Sequence, residues 1–128
     1  MCSAAIVDTD SKNATPLAAK RCVPCEAGTP PLTPEQAQAF LPQISSRWRL
    51  EPLRLEREIV FRDFGRAMAF LNEVAEIAEG EGHHPDFSCS YNRVTLQLTT
   101  HAIKGLSEND FILAAKIDEL LRQRRQTT

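Results

Sequence analysis

The chain has 128 residues, of which 42% are hydrophobic and 25% are charged, and its 15 Lys and Arg residues nearly balance 17 Asp and Glu residues. This composition is typical of one globular domain that builds its core without disulfides or a structural metal. The net charge of -2 gives no electrostatic footprint for nucleic acid or an anionic membrane surface, and no apolar run approaches the roughly 18 residues of a membrane span.

The first 32 residues show no helical or strand periodicity, and we predict a flexible tail that leads into a loop rich in cysteine and proline. A secretory signal is not expected, because no basic stretch precedes an apolar one. We expect a cytoplasmic protein, with the nucleus as a further location, and not a secreted one. Cys22 and Cys25 form a C-x-x-C pair without the second close pair of a zinc ribbon. We interpret them as loop thiols or local structure, with metal or redox chemistry as the alternative. Residues 1–21 are expected to be dispensable.

Two helix starts are marked by capping residues. Thr33 and Gln36 have the spacing of a capping box, and Pro42 should end or bend the helix that they begin. Ser107 is the predicted cap of the last helix, and Asp110 is the acid of its capping box.

Residues 33–128 are predicted to form the folded domain. Alternating apolar residues predict four strands, which pair antiparallel because their links are short, and helical periodicity predicts a long central helix. The order helix, strand, strand, helix, strand, strand, helix predicts an α+β fold with a four-stranded antiparallel sheet and three helices on one face. The strands span about 47–51, 54–62, 86–91 and 94–100, and the central helix about 64–80.

The three histidines of the chain are His83, His84 and His101. If the last hairpin turns between Asn92 and Arg93, His101 lies opposite His84 and one step from His83. Two distant segments then bring three imidazoles to one end of the sheet. Because histidine titrates near neutral pH, two of them can serve as one acid and one base.

Two other interpretations of the histidines stay open. Three imidazoles could hold a metal ion with Glu79 or Asp86 as a further ligand, although His83 and His84 are adjacent and should point apart. The histidines could also be unrelated surface residues at strand ends.

A longer motif surrounds the histidines: Glu79, His83-His84-Pro85, Tyr91-Asn92, Val94, Leu98, Thr100-His101, Gly105-Leu106-Ser107 and Asp110. Its residues and spacing resemble those of the pterin-4a-carbinolamine dehydratases, a family that includes the dimerisation cofactor of a homeodomain transcription factor. The resemblance covers about residues 79–115. The chain differs at Gly82, where many relatives carry Asp or Asn, and at Asn109, where some carry Arg.

The resemblance implies that the chain dehydrates a 4a-hydroxytetrahydropterin such as 4a-hydroxytetrahydrobiopterin to the quinonoid dihydropterin, in tetrahydrobiopterin recycling, without a metal or an organic cofactor. It also implies that His83, His84 and His101 are the catalytic residues. We assign His83 as general acid, His101 as general base and His84 to substrate positioning. The expected substrate-binding residues are Glu79, His83, His84, Pro85, Thr100, His101, Ala102 and Ile103.

The expected partners are the pterin and further copies of the chain. An open four-stranded sheet leaves strand edges unpaired, and the relatives assemble, so we expect a homodimer or homotetramer without direct contact to nucleic acid or membrane. The alternative function is an oligomerising binding module that serves as a transcriptional dimerisation cofactor.

Overall fold

The computed structural model describes residues 17–23 and 28–127, which form three α-helices and one four-stranded antiparallel sheet. The predicted α+β fold and its element order are confirmed. The helices are α1 (Pro34–Phe40), α2 (Phe64–Glu81) and α3 (Glu108–Thr127), and the strands are β1 (Arg49–Leu50), β2 (Leu55–Val60), β3 (Asp86–Ser90) and β4 (Arg93–Leu98).

α1 begins with the predicted capping box. The Gln36 N–H donates to the Thr33 hydroxyl at 3.1 Å, and the Thr33 N–H donates to the Gln36 side chain at 2.9 Å. The helix gives way to a short 3₁₀ turn, Leu41–Gln43, that contains Pro42. Proline has no N–H to continue the helical hydrogen bonds, so α1 stays short as predicted.

The strands follow the order β1-β2-β4-β3, and every neighbouring pair is antiparallel. One face of the sheet is apolar, because Val94, Leu96 and Leu98 of β4 are fully buried and Leu55 of β2 lies beside Leu98. The other face is polar and includes Gln97. The period of two along β2 and β4 therefore predicts which of their side chains are buried.

The register of the β3–β4 hairpin differs from the prediction. Ser90 lies opposite Arg93, whereas a turn between Asn92 and Arg93 would place it opposite Thr95, so the prediction is wrong by two residues. The observed turn is held by Phe61, the residue after β2, which exchanges two hydrogen bonds at 2.8 Å with Asn92, one of them through the Asn92 side-chain amide. Two residues are one full strand repeat, so every side chain keeps its predicted face.

The end of β4 also differs from the prediction. The strand ends at Leu98, Thr100 forms an isolated bridge with Gly105, and the 3₁₀ turn His101–Ile103 lies between them. The first residue of that turn therefore does not continue the strand opposite His84, which corrects the predicted pairing.

The core lies between the apolar face of the sheet and the helices. Phe111 of α3 is fully buried and stacks on Phe40 of α1, with ring centroids 5.1 Å apart. Phe70 of α2 is also fully buried and packs against Phe61, at 5.0 Å between centroids. These aromatic contacts join α1 to α3, and α2 to the residue that follows β2. No helix within the described residues is long and apolar enough to cross a membrane.

A buried charged cluster joins α3 to the sheet. The Asp118 carboxylate accepts hydrogen bonds from the Arg57 guanidinium at 2.7 Å, from the Trp48 indole at 2.8 Å and from the Ser45 N–H at 2.8 Å. The guanidinium also lies over the Trp48 ring, 5.6 Å from its centroid. Because a buried charge without partners is strongly unfavourable, these contacts fix the position of the helix.

Residues 17–23, here called the N-terminal strap, pack across α2 and α3. We assigned this segment to the flexible part of residues 1–32, and the structure differs because Leu17 is 3% exposed and belongs to the core. Lys116 of α3 donates a hydrogen bond to the Ala18 carbonyl at 2.8 Å. The strap is thus a folded part of the domain.

The structure bears on the other N-terminal predictions only in part. Residues 1–16 and Cys25 lie outside the described residues, so the interpretation of the C-x-x-C pair stays a prediction. Cys22 is half-buried, and its thiol lies 3.6 Å from the Asn109 carbonyl oxygen. Deletion of residues 1–21 would remove Leu17 from the core, so we no longer expect it to be neutral.

Glu81, the last residue of α2, anchors the strap. Its largely buried carboxylate accepts a hydrogen bond from the Cys22 N–H at 2.8 Å and lies 3.4 Å from the Lys116 ammonium. Burial acts to raise the pKa of Glu81, but the Cys22 hydrogen bond and the Lys116 charge outweigh it and hold the pKa below its usual value of 4.5. The ionised form of Glu81 therefore stabilises the folded state.

We expect Glu81→Gln to lower the free energy of unfolding by roughly 1 kcal/mol at neutral pH, because the ion pair with Lys116 is lost. A carboxyl whose pKa is lowered by folding contributes its stability above pH 4.5 and loses it as the pH falls through the folded pKa. The difference between wild type and variant should therefore shrink below that pH in urea titrations. The exposed Glu76→Gln is the control, and an equal pH dependence in both variants would contradict the anchor.

Candidate active site

Two connecting segments carry the three histidines. α2 ends at Gly82, whose φ of 67° lies in the left-handed region that favours glycine, and the His83 N–H bonds back to the Ala78 carbonyl at 3.2 Å. His84 follows before β3, and His101 begins the 3₁₀ turn after β4. Because β3 and β4 are antiparallel neighbours, the segment before β3 and the segment after β4 lie at the same end of the sheet.

A buried carboxylate holds His83. The His83 Nε2 lies 2.6 Å from Asp110 Oδ1, and the two side chains are 11% and 0% exposed. The other oxygen of Asp110 accepts hydrogen bonds from the Thr100 hydroxyl and the Ser107 N–H, both at 2.9 Å. The Ser107 N–H bond is the acid half of the predicted capping box of α3, while the Ser107 hydroxyl accepts from the Asn109 N–H at 3.2 Å and not from the Asp110 N–H. The Asp110 carboxylate also ties the helix to the end of β4 and to His83.

The other two histidines face carboxylates at the surface. The His84 Nε2 lies 2.7 Å from Glu79 Oε2, and the His101 Nε2 lies 3.0 Å from Asp86 Oδ2. All four side chains are more than half exposed. Each imidazole of the chain therefore has a separate carboxylate partner, and each uses the same ring nitrogen.

The carboxylate contacts indicate the tautomer of each neutral imidazole. An ionised carboxylate only accepts hydrogen bonds, so each partner places an imidazole proton on Nε2. The Nδ1 atom is then an acceptor in the neutral ring and a donor in the charged ring. Each histidine can take up or release a proton at Nδ1 while its carboxylate keeps the ring oriented.

A cavity of about 340 Å³ joins the two histidine-bearing segments. Of the predicted site residues, His83, His84, Thr100, His101 and Ala102 line it. Its full lining consists of Val23, Gly82, His83, His84, Thr99, Thr100, His101, Ala102 and Asn109.

Three predicted substrate-binding residues do not line the cavity. Glu79 lies outside it and contacts His84, and Ile103, the last residue of the 3₁₀ turn, is buried with 7% of its surface exposed. Pro85 is half-buried behind His84.

Sequence analysis missed the role of Asp110, since we assigned it to helix capping alone. Its position in the motif beside the histidine turn was a usable signal, because one carboxylate has enough acceptor sites to cap a helix and bind a side chain. We considered Asp86 only as a metal ligand, and its place one residue after Pro85 gave no sign of His101 as its partner. Nothing in the sequence pointed to Val23, because no local pattern relates it to α3.

The metal-site interpretation required several ligand side chains to converge. Among residues 17–23 and 28–127, no three His, Cys, Asp or Glu side chains are grouped closely enough to hold a metal ion together. Each imidazole instead faces a separate carboxylate.

Known proteins show the same pattern over most of the chain. Residues 30–120 match the sequence profile of the family described as "Pterin 4 alpha carbinolamine dehydratase". A protein of Nitrosomonas eutropha is 48% identical over 109 residues, covering 85% of this chain and 96% of the relative. A protein of Alkaliphilus metalliredigens is 43% identical over 104 residues, covering 80% and 94%. Both are named "Putative pterin-4-alpha-carbinolamine dehydratase".

A solved structure is similar in fold as well. The crystal structure of a transcriptional coactivator/pterin dehydratase from Brucella melitensis superposes with a TM-score of 0.66 at 30% sequence identity. The match covers 70% of this chain and 97% of the other. The α+β fold that the sequence predicts is therefore shared with that protein.

Replacing Asp110 tests how far the domain depends on its carboxylate. We expect Asp110→Ala to lower the free energy of unfolding by about 3 kcal/mol or more, because each buried donor left without a partner costs about 1–3 kcal/mol. Asp110→Asn, which keeps one acceptor oxygen, should lose less. Urea unfolding measures both.

The control is Asp63→Ala, because Asp63 is an exposed carboxylate that caps α2 through the Arg66 N–H at 2.8 Å. Loss of an ordinary helix cap costs about 1 kcal/mol. Equal losses in Asp110→Ala and Asp63→Ala would show that Asp110 contributes only a helix cap.

Proposed function

The chain belongs to the pterin 4 alpha carbinolamine dehydratase family, and from that membership we propose that it dehydrates a 4a-hydroxytetrahydropterin to the quinonoid dihydropterin. The physiological substrate would be 4a-hydroxytetrahydrobiopterin in the recycling of tetrahydrobiopterin. In this reaction the bond between C4a and the hydroxyl oxygen breaks, N5 loses its proton and a C4a–N5 double bond forms. The hydroxyl leaves as water, so the step needs one acid and one base and no oxidant.

One observation carries the proposal. His83, His84 and His101 all line one cavity of about 340 Å³, and each has its Nε2 on a separate carboxylate. This volume lies within the usual range for a small-molecule site. The available Nδ1 atoms can supply both the acid and the base that the dehydration requires.

The different surroundings of the histidines support different roles. His83 is nearly buried and oriented by Asp110, which suits the group that must protonate the leaving hydroxyl in one fixed direction. His101 is exposed and can pass the N5 proton on to solvent, so it is assigned as the base. His84 lies with Glu79 at the surface and is assigned to substrate positioning.

The proposed substrate contacts follow the two segments of the cavity. Residues 83–85 and 100–103 would hold the pterin, with the side chains of the three histidines and Ala102 on the cavity side. The Thr100 hydroxyl is already bonded to Ser107 and Asp110, so Thr100 would contribute to the wall and to the position of Asp110.

A second candidate function is that of a transcriptional dimerisation cofactor. The Brucella melitensis protein is described as a transcriptional coactivator as well as a pterin dehydratase, and this supports the alternative. The two functions differ in a direct assay, because only the dehydratase accelerates loss of water from freshly prepared 4a-hydroxytetrahydropterin.

Replacing the histidines tests the proposed chemistry. We expect His83→Ala or His101→Ala to lower kcat by roughly 10²-fold or more, because each removes one proton transfer. The double variant should lose less than the product of the single losses, because the two groups act as a unit. His84→Ala should raise KM more than it lowers kcat. Stopped-flow absorbance of the dehydration measures all four variants.

The control for folding is the thermal melting temperature of each variant. Treatment with a chelator should leave the activity unchanged. Loss of activity with chelator and its recovery with zinc would favour the metal interpretation, and full activity of the double histidine variant would remove both residues from the reaction.

We also infer that the chain forms a homodimer or homotetramer. β3 is the last strand in the sheet order, so within the described chain one of its edges has no strand partner, and Phe87 on it is 57% exposed. Exposed apolar edges are usually covered.

Analytical sedimentation at micromolar concentration should give a molecular mass that is a multiple of the chain mass. Phe87→Glu should lower this molecular mass toward the mass of a single chain. A wild-type mass of one chain would contradict the inference, and Val60→Glu is the control on β2.

A further inference from the structure

We infer that Val23 of the N-terminal strap forms part of the wall of the pterin cavity and selects the substituent at C6 of the pterin. Asn109 is the residue that positions this part of the wall. The inference rests on the proposed function. The strap lies outside residues 30–120, which match the family profile.

Asn109 holds the last described residue of the strap on both sides. The Val23 N–H donates to Asn109 Oδ1 at 3.0 Å, and the Asn109 side-chain amide donates to the Val23 carbonyl. Asn109 is 4% exposed, so this double hydrogen bond forms where water competes little. One amide side chain thus pairs with Val23 as a neighbouring strand would.

The same two helices hold the strap and the buried histidine. Asn109 is the chain neighbour of Asp110, which binds His83. Near the end of α2, the Arg21 guanidinium of the strap donates a hydrogen bond to the Gly80 carbonyl at 3.1 Å. Gly80 precedes His83 by three residues in the sequence. The wall and the proposed general acid are therefore fixed relative to each other.

The chemistry of Val23 indicates which part of a pterin it meets. Val23 lines the cavity with 64% of its surface exposed, while its N–H and carbonyl are both bonded to Asn109. Only an aliphatic side chain is left to contact a ligand. The aminopyrimidinone edge of a pterin needs hydrogen-bond partners, so Val23 fits the C6–C7 side of the ring and the substituent that it carries.

The test compares Val23→Trp with Val60→Trp. Val60 is a valine of similar exposure, 60%, at the far end of β2 and away from the cavity, so it is a matched control. The substrates are 4a-hydroxytetrahydrobiopterin, with a dihydroxypropyl chain at C6, and its 6-methyl analogue. Val23→Trp should raise KM for the longer substrate about tenfold and for the methyl analogue less, with kcat within about twofold. Val60→Trp should change neither constant.

A double-mutant cycle tests the positioning role of Asn109. Asn109→Ala should also raise KM for the longer substrate, and its effect should be less than multiplicative with Val23→Trp because both act on one wall. With Val60→Trp the effects should multiply. A merely structural role of Asn109 would not produce this coupling in KM, so multiplicative effects in both cycles would overturn the role.

The remaining outcomes separate the two proposals. If the wild-type chain converts neither substrate, the proposed function fails and this inference fails with it. If the wild type is active but Val23→Trp has the same KM values as Val60→Trp, the inference about the strap alone is overturned.

Discussion

The domain and its candidate site both depend on one buried carboxylate, that of Asp110. It accepts hydrogen bonds from the N-terminus of α3, from Thr100 after β4 and from His83 after α2. A fully buried carboxylate is tolerated only when donors surround it, so the three elements must meet at this point for the fold to be stable. The orientation of His83 is therefore a consequence of the same contacts that close the domain.

The three imidazole–carboxylate pairs contribute differently because their exposure differs. Exposed ion pairs contribute little to stability, so the pairs of His84 and His101 mainly orient their rings and leave the rings accessible to solvent. The side chains of His83 and Asp110 are almost completely buried, and electrostatic interactions are stronger in such an environment. One cavity thus combines a rigid, shielded imidazole with two accessible ones. A reaction that needs a directed proton donor and a base in contact with solvent can use both properties.

The N-terminal strap shows how a segment outside the matched family region can take part in the site. Leu17 is buried in the core, and the Cys22 N–H donates a hydrogen bond to Glu81. Val23 lines the cavity, and its backbone is hydrogen-bonded to Asn109. The anchors lie on α2 and α3, next to the residues that hold His83. Stability of the strap and shape of the cavity are therefore linked through the same helix ends.

The sequence by itself determined the features that arise from neighbouring residues. Helical and strand periodicity predicted the elements and the buried face of β2 and β4. The capping box of Thr33 and Gln36 predicted the start of α1, and the motif around the histidines predicted the family. These signals are local, because they depend on contacts within about four residues or on residue spacing.

Only the tertiary structure decided the contacts between distant segments. Asn92 bonds to Phe61, which follows β2, and the register of the hairpin with this contact differs by two residues from the predicted turn. Likewise, Asp110 binds His83 and Asn109 binds Val23 only because packing brings the start of α3 next to the end of α2 and next to the strap. From the sequence alone, a carboxylate or an amide is assigned to a helix cap or a turn, because those hydrogen bonds are local. A partner that is distant in the chain depends on the packing of the whole core.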